Sequence, residues 1–210
     1  MPVNAVRRLL ASKPLLWALL AIPALLMIRT ALAPDVVFED LLQPSGTWSA
    51  RLLVVALMLS PLSLLLPGQT WVRWLIRRRR AFGVAAFGYA LLHLIFYVLE
   101  MQTLRDMLAE AGALGIWTGW AAFLLMLPLA LTSNDRAMRA LAAGWKRLQR
   151  LAYPAALLTL AHWAFVHDNL ADALVNFAPL ILLQSLRLLR SVRGQRSAPI
   201  HHPTTLETNR

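Results

Sequence analysis

Residues 82–99 read FGVAAFGYALLHLIFYVL, an apolar run without a charged side chain. Crossing the hydrocarbon core of a bilayer takes roughly 20 residues of helix, at about 1.5 Å of rise for each residue. Because lipid offers no hydrogen-bond partners, the backbone of such a segment has to bond within itself as a helix. The run therefore predicts a transmembrane helix.

Apolar stretches of similar length recur on both sides of this run. Hydrophobic residues make up 59% of the 210-residue chain, and the mean hydropathy is +0.57, which is too apolar for an ordinary soluble domain. The alternating pattern of an outer-membrane barrel is absent. We predict an all-α integral membrane protein, a six-helix bundle with spans at 15–33, 48–66, 82–99, 114–132, 151–167 and 173–190.

Two terminal segments flank the membrane domain, which covers 15–190. Residues 1–14 are predicted to be a cytoplasmic N-terminus, and 191–210 a polar cytoplasmic tail that we expect to be disordered. The first span resembles a signal peptide, but its length and Pro34, directly after the sequence Ala-Leu-Ala, favour an uncleaved anchor.

The distribution of charge predicts the orientation of the bundle. With the N-terminus inside, 18 of the 21 lysines and arginines fall in cytoplasmic pieces; Arg29, Arg51 and Arg105 are the exceptions. Eight of the ten acidic residues fall outside, all except Asp135 and Glu207. Because Lys/Arg bias sets topology, we expect a multi-pass inner-membrane protein with both termini in the cytoplasm. The net charge of +11 is then explained by the membrane, without nucleic acid as a partner.

Several classes of chemistry are excluded by what the sequence lacks. There is no cysteine, so disulfides, thiolate metal sites and cysteine nucleophiles are ruled out. No nucleophilic triad, HExxH helix or phosphate-binding loop is visible. Carboxylates are nearly absent from the span interiors, which argues against a pump or transporter built on buried acids.

Two histidines lie inside predicted spans. His93 and His162 each stand about 11 residues into a helix that starts at the cytoplasmic face, roughly 17 Å along it. This puts both slightly past the midplane, at one depth. Two such imidazoles could bind the two axial positions of a haem iron. The alternative is that each forms a hydrogen bond between helices and holds no cofactor.

Other polar residues have weaker claims to a site. The arginines 77–80 are explained as a topology anchor, and the functional alternative is a surface that binds anionic lipid or the phosphates of a flavin or nicotinamide cofactor. His167 and Asp168 could meet a quinone headgroup or a partner, although interfacial placement also explains them. A metal role for His201 and His202 is less favoured than a solvated tail.

Several short motifs occur in the order and spacing of a known family. They are GTW at 46–48, SPL at 60–62, RRAFGV at 79–84, YALLH at 89–93, LALTS at 129–133 and WKRLQRLAY at 145–153, with His162 beyond them. Together they resemble the MsrQ family, a branch of the ferric-reductase-like transmembrane group whose members are haem-binding membrane subunits of a bacterial periplasmic methionine sulfoxide reductase system. The resemblance covers about 46–167.

The resemblance implies a function that composition and spacing do not. It implies haem b held by His93 and His162, and electrons passed outward to a periplasmic molybdenum-containing (molybdopterin-dependent) methionine sulfoxide reductase that repairs oxidised proteins. The implied donor is the quinone pool or a cytoplasmic flavin reductase, with FMN as an associated cofactor. Within the basic block at 77–80 and its possible extension to Arg150, the candidates for contacts to a cofactor are Arg79, Arg80 and Arg150.

One position departs from the family pattern. Gln149 stands where the family motif Trp-x-x-Leu-His-Arg carries a histidine. A glutamine is a poor iron ligand, so we expect one haem. The competing hypotheses are a ferric-reductase-like cytochrome b with a different partner and a membrane scaffold without a cofactor.

Overall fold

The computed structural model describes residues 12–167 and 169–196, with side chains as far as 192. All regular elements in this part of the chain are helices. They are α1 (Lys13–Ala31), α2 (Glu39–Leu65), α3 (Thr70–Met101), α4 (Leu104–Glu110), α5 (Leu114–Leu131), α6 (Asp135–Leu141), α7 (Ala143–Leu148), a 3-10 turn (Gln149–Leu151), α8 (Ala152–Val166) and α9 (Leu170–Arg196). The predictions for Asp168, for His201 and His202, and for most of both terminal segments lie outside the described residues.

Five of these helices are long and apolar enough to cross a bilayer: α1, α2, α3, α5 and α9. The all-helical membrane architecture predicted from the sequence is therefore confirmed. The predicted span at 151–167 corresponds to α8, which has only 15 residues. At about 1.5 Å per residue α8 covers roughly 22 Å, less than the roughly 30 Å hydrocarbon core. The 3-10 turn and α7 precede it without a break.

Two helices begin well before the spans that hydropathy predicts. α2 starts at Glu39 rather than 48, and α3 starts at Thr70 rather than 82. Glu39 and Asp40 lie in the first turn of α2, where negative charge complements the helix dipole. The arginines 77–80 favour helix in their own right, so α3 continues through them.

Small residues bring the helices at the centre of the bundle close together. Ser45, Ala86 and Ala155 have no exposed surface, and Ser49 Oγ donates to the carbonyl oxygen of Ala86 at 2.9 Å, joining α2 to α3. Without a hydrophobic drive between helices in lipid, close packing of small residues and hydrogen bonds between helices supply much of the association energy. α2, α3, α5 and α8 thereby surround a common interior.

The bundle has two chemically different ends. We call the acidic end the one at which α1, α3 and α8 finish and α2, α5 and α9 begin. Its acidic residues are Asp35, Glu39, Asp40, Glu100, Asp106, Glu110 and Asp172. The opposite end, the basic end, carries Lys13, Arg73, Arg77–Arg80, Arg136, Arg139, Lys146, Arg147, Arg150, Arg187 and Arg190.

Arginines at the basic end also hold helices together. Arg190 Nη1 donates to the carbonyl oxygen of Leu64 at 3.3 Å. Arg80 Nη1 lies 2.5 Å from Asp135 Oδ1, and this hydrogen bond, together with the positive charge of Arg80, lowers the pKa of the Asp135 carboxyl group. Asp135, an acid among cations, is thus explained by its partner.

Candidate functional site

His93 projects from α3 toward the first turns of α2. Its Nδ1 lies 2.9 Å from the carbonyl oxygen of Leu42 and 3.2 Å from Ser45 Oγ. A carbonyl oxygen can only accept, so Nδ1 carries the hydrogen and donates. In the neutral ring Nε2 is then unprotonated, which is the form that binds a metal.

His162 projects from α8 toward α5 in the same manner. Its Nδ1 donates to the carbonyl oxygen of Gly115 at 2.7 Å, so its Nε2 is also free of hydrogen in the neutral ring. The ring packs on Gly119, where an added Cβ would come within 2.7 Å of His162 Nδ1. Gly46 cradles His93 less tightly, with a distance of 3.3 Å.

The two imidazole rings approach each other in the interior of the bundle, in a T-shaped arrangement. Their centroids are 6.0 Å apart and their planes meet at 80°. An imidazole nitrogen binds a metal at about 2.0 Å, and the ring centre lies about 1 Å further, so two imidazoles on opposite sides of one ion have centroids roughly 6 Å apart. The separation therefore suits two axial ligands of one metal ion.

A cavity of about 280 Å³ adjoins the histidine pair. Apolar and aromatic side chains from α2, α3, α5 and α8 form most of its wall, among them Leu42, Leu94, Trp120, Phe123, Met126 and Trp163. Ligand-binding pockets are of about this size or larger and have this composition, with a few polar groups that fix the ligand. Tyr97 also lines the cavity. Two other aromatic residues close to the histidines in sequence do not line it: Tyr89 is buried against α1, and Phe165 is half exposed.

The pair lies toward the acidic end of the bundle. His162 precedes the end of α8 at Val166 by four residues, and His93 precedes the end of α3 at Met101 by eight. Their carbonyl partners, Leu42 and Gly115, lie in the first turns of α2 and α5. The predicted spans end at 99 and 167, six residues after His93 and five after His162, so the observed helix ends change these separations by at most two residues.

No cluster of three or more His, Asp or Glu residues that could hold a metal ion occurs in the described ranges. The two histidines therefore suit a metal that brings its other ligands with it. The iron of a tetrapyrrole, which needs only two axial ligands from the protein, fits this donor set.

The arginines proposed for a cofactor phosphate are distributed differently. Arg79 Nε donates to the carbonyl oxygen of Ala56 at 2.9 Å, and its Nη1 donates to Ser60 Oγ at 3.2 Å. Arg80 turns to the other side, toward Asp135. Arg150 is exposed at the basic end. Arg79 and Arg80 thus contact different helices of the protein itself.

Gln149 is engaged in a hydrogen-bonded contact between helices. Its Nε2 donates to the carbonyl oxygen of Leu129 at 3.3 Å and to Thr132 Oγ1 at 3.4 Å, both near the end of α5. Trp145 Nε1 donates to the carbonyl oxygen of Thr132 at 3.0 Å beside it. The amide therefore joins α5 to the 3-10 turn.

Sequence reasoning missed the residues that orient the histidines. Gly119 and the carbonyl of Gly115 carry no side-chain signal for ligand binding, and their role depends on which face of α5 meets α8. The available signal was the pair of glycines four residues apart in an apolar helix, a spacing that marks close helix approach in membranes.

Comparison with known proteins bears on this site. The family model described as ferric reductase like transmembrane component matches residues 45–160. The chain is 35% identical over 199 residues to a protein of Azospira oryzae, covering 89% of this chain and 82% of that relative. It is 34% identical over 161 residues to a protein of Xanthomonas campestris pv. campestris, covering 75% and 72%. Both relatives are named protein-methionine-sulfoxide reductase heme-binding subunit MsrQ. No solved structure matches significantly.

Proposed function

The chain belongs to the MsrQ family of ferric-reductase-like transmembrane proteins, and from that premise we propose that it is a haem b electron-transfer subunit. In this proposal His93 and His162 are the axial ligands. Electrons pass from the quinone pool or a cytoplasmic flavin reductase to a periplasmic molybdenum-containing methionine sulfoxide reductase.

One observation carries the proposal: two imidazoles from different helices lie 6.0 Å apart, centroid to centroid, each with Nδ1 hydrogen-bonded to a backbone carbonyl. These hydrogen bonds fix the tautomer and orientation of each ring and raise the basicity of Nε2. Haem held there would supply one-electron chemistry. The protein contributes ligands, an apolar wall and a fixed position.

The position of the pair favours delivery of electrons at the acidic end. In our proposal the acidic end faces the periplasm, so the ligand pair lies on the side of the catalytic subunit. This orientation follows the bias of lysines and arginines toward the basic end. It makes α8, extended by the 3-10 turn and α7, the fifth of six spans in an inner-membrane bundle with both termini in the cytoplasm.

A flavin phosphate would bind on the cytoplasmic side, at the basic end. Arg79 and Arg80 already contact protein groups, so Arg150 is the candidate of these three that is most accessible to a flavin phosphate. Guanidinium groups pair well with phosphate because of their planar array of donors. The side-chain amide of Gln149 forms hydrogen bonds to α5. We therefore propose that each chain holds a single haem.

The decisive experiment compares His93→Ala and His162→Ala with Leu91→Ala, a control on an exposed site of α3. Each histidine variant loses one axial bond in an apolar site, so low-spin haem should be lost from both. Leu91→Ala should keep the sharp α band of the parent protein on reduction.

Purified proteins in mild detergent are measured by visible spectra and by haem content relative to chain. Parent-like spectra in both histidine variants would exclude the bis-histidine site. Absence of haem from the parent protein after expression with adequate haem supply would exclude the function itself.

A further inference from the structure

A second cavity, of about 640 Å³, adjoins the one beside the histidines. The two share lining residues Gln43 and Thr47 of α2 and Trp163 and His167 at the end of α8. Beyond these residues the lining changes from apolar to polar and is completed by Pro44, Trp48, Arg51, Asn169, Asp172 and Asn176. We call this second cavity the polar cleft.

Among the residues that the structure describes, Arg51 is the only lysine or arginine that lines either cavity. It lies inside the apolar helix α2, and a charged residue inside a membrane helix is costly enough to be a functional candidate. The bias of positive charge toward the basic end does not explain it, because Arg51 lies toward the acidic end.

The guanidinium of Arg51 is oriented by α9. Its Nε donates to Asn176 Oδ1 at 3.0 Å, and Asn176 Nδ2 in turn donates to the carbonyl oxygen of Asp172 at 2.9 Å. Within the described part of the chain, Nη1 and Nη2 of Arg51 make no hydrogen bond to protein. These two nitrogens are the pair that binds a carboxylate in bidentate fashion.

The acid of the polar cleft is already satisfied. Asp172 Oδ2 accepts from Asn169 Nδ2 at 2.8 Å, and the backbone N–H of Asp172 donates to Asn169 Oδ1 at 3.1 Å. Asp172 and Asn169 therefore bond each other at the start of α9, while Arg51 lacks an ionic partner among the described residues. The polar cleft offers a positive group that is open to an anion.

We propose that the polar cleft binds the carboxylate edge of the porphyrin, with Arg51 as the group that binds a propionate. This inference rests on the proposed function, since it requires haem between His93 and His162. Haem b is a planar apolar ring with two carboxylates on one edge. The joined cavities match it with an apolar wall beside the ligands and a polar cleft that starts at Gln43, Thr47, Trp163 and His167. An unpaired carboxylate in an apolar site is strongly disfavoured.

The test compares binding of haem b with binding of its dimethyl ester, which lacks the charges but keeps the iron and the ring. Apoprotein from haem-deficient cells is placed in nanodiscs of phosphatidylcholine and titrated with each porphyrin. The parent protein should bind haem b at least about tenfold more tightly than the ester, the effect expected of one charge-assisted pair.

Arg51→Gln should reduce this preference to near unity, and Arg51→Lys should keep most of it because the charge remains. Arg105→Gln, at an arginine of the acidic end outside both cavities, is the matched control and should behave as the parent. Partition of the ester into lipid is common to all variants, so the comparison among variants isolates the protein.

The outcomes separate the two hypotheses. Failure of the parent to bind either porphyrin as low-spin haem would overturn the proposed function. Equal, low-spin binding of both porphyrins by the parent would overturn the propionate site and leave the proposed function standing. If Arg51→Gln fails to fold, the ratio of the affinities for haem b and its ester, measured in the parent and in Arg51→Lys, still tests the propionate site. A preference that vanishes when phosphatidylglycerol is added would assign Arg51 to a lipid phosphate and overturn the proposal.

Discussion

At the scale of single residues, we expect the glycines beside His93 and His162 to be the most sensitive positions. An alanine Cβ at 119 would lie 2.7 Å from His162 Nδ1, whereas at 46 it would lie 3.3 Å from His93. Overpacking of this kind costs about 1–3 kcal/mol. We expect Gly119→Ala to lose much of its haem or to change the low-spin electron paramagnetic resonance signal, and Gly46→Ala to have a smaller effect.

Gly88→Ala is the matched control for these two variants. It lies in α3, the helix that carries His93, but an added Cβ there meets nothing within 4 Å. Its haem content should equal that of the parent, and its helix should gain up to about 1 kcal/mol from the better propensity of alanine. Equal haem signals in all three variants would show that the glycines do not shape the ligand site.

The histidines themselves could be predicted from the sequence, whereas their partners could not. His93 and His162 are rare polar residues in apolar spans, and residue counting alone put them at one depth. The groups that orient them are the backbone carbonyls of Leu42 and Gly115, which every residue possesses. To identify them, one must know which face each helix turns toward its neighbours. A helix with apolar residues on all faces gives no sequence signal for that orientation.

At the scale of helices, the attachment of α1 depends on an inserted side chain. Tyr89 Oη of α3 donates to the carbonyl oxygen of Leu20 at 2.7 Å and accepts from the backbone N–H of Ala24 at 3.0 Å. Those two backbone groups would otherwise bond each other within α1. The phenol thus bonds both backbone groups of one helical turn of α1, next to Pro23.

Tyr89→Phe removes this hydroxyl and keeps the ring. We expect a loss of about 1–2 kcal/mol of unfolding free energy, the usual value for buried hydrogen bonds, measured by titration of mixed micelles with a denaturing detergent. Tyr97→Phe is the control, since its hydroxyl makes one exposed contact of 3.5 Å to Glu110. Equal stability of Tyr89→Phe and Tyr97→Phe would show that the inserted hydroxyl does not fasten α1.

Gln149 gives a second prediction at this scale. Its amide bonds the end of α5, and a neutral amide is a poor ligand for low-spin iron. We expect about one haem per chain by the pyridine haemochrome assay. Gln149→His should raise this ratio only if the new imidazole turns away from Leu129 and Thr132. A ratio near two in the native protein would contradict this interpretation.

Helix limits show where hydropathy alone is insufficient. The apolar runs identified α3 and α5, but not the continuation of α3 back to Thr70 or the shortness of α8. Hydropathy reports what lipid accepts, whereas a helix continues into water as long as capping and propensity permit. The 3-10 turn at Gln149–Leu151 separates α7 from α8 and contacts α5, and hydropathy indicates neither the turn nor the contact.

At the scale of the whole molecule, the acidic and basic ends make the bundle strongly polar along its axis. The cations sit around α3, α6, α7 and the last turns of α9, and the histidine pair lies toward the opposite, acidic end. The sequence predicted this asymmetry because charge needs no knowledge of packing. The arrangement of α2, α3, α5 and α8 around one interior needed the structure, since it follows from contacts between small residues far apart in the chain.

The orientation of this axis is the broadest prediction, because in the proposed function it decides on which side of the membrane an electron leaves a haem held by His93 and His162. Topology reporters fused after about Arg80, Asp135 and Arg196 should report cytoplasm, and those near Glu39, Asp106 and Asp168 should report periplasm, since Lys/Arg-rich segments stay inside.

Removal of positive charge provides the control. Replacing Arg77–Arg80 by glutamine removes four of the cations at the basic end and should weaken the periplasmic signal of the neighbouring Asp106 fusion. An inverted signal at two or more of the six sites would place the acidic end in the cytoplasm. The histidine pair would then lie on the cytoplasmic side. That result would contradict the proposed delivery of electrons to a periplasmic reductase, even if haem were bound.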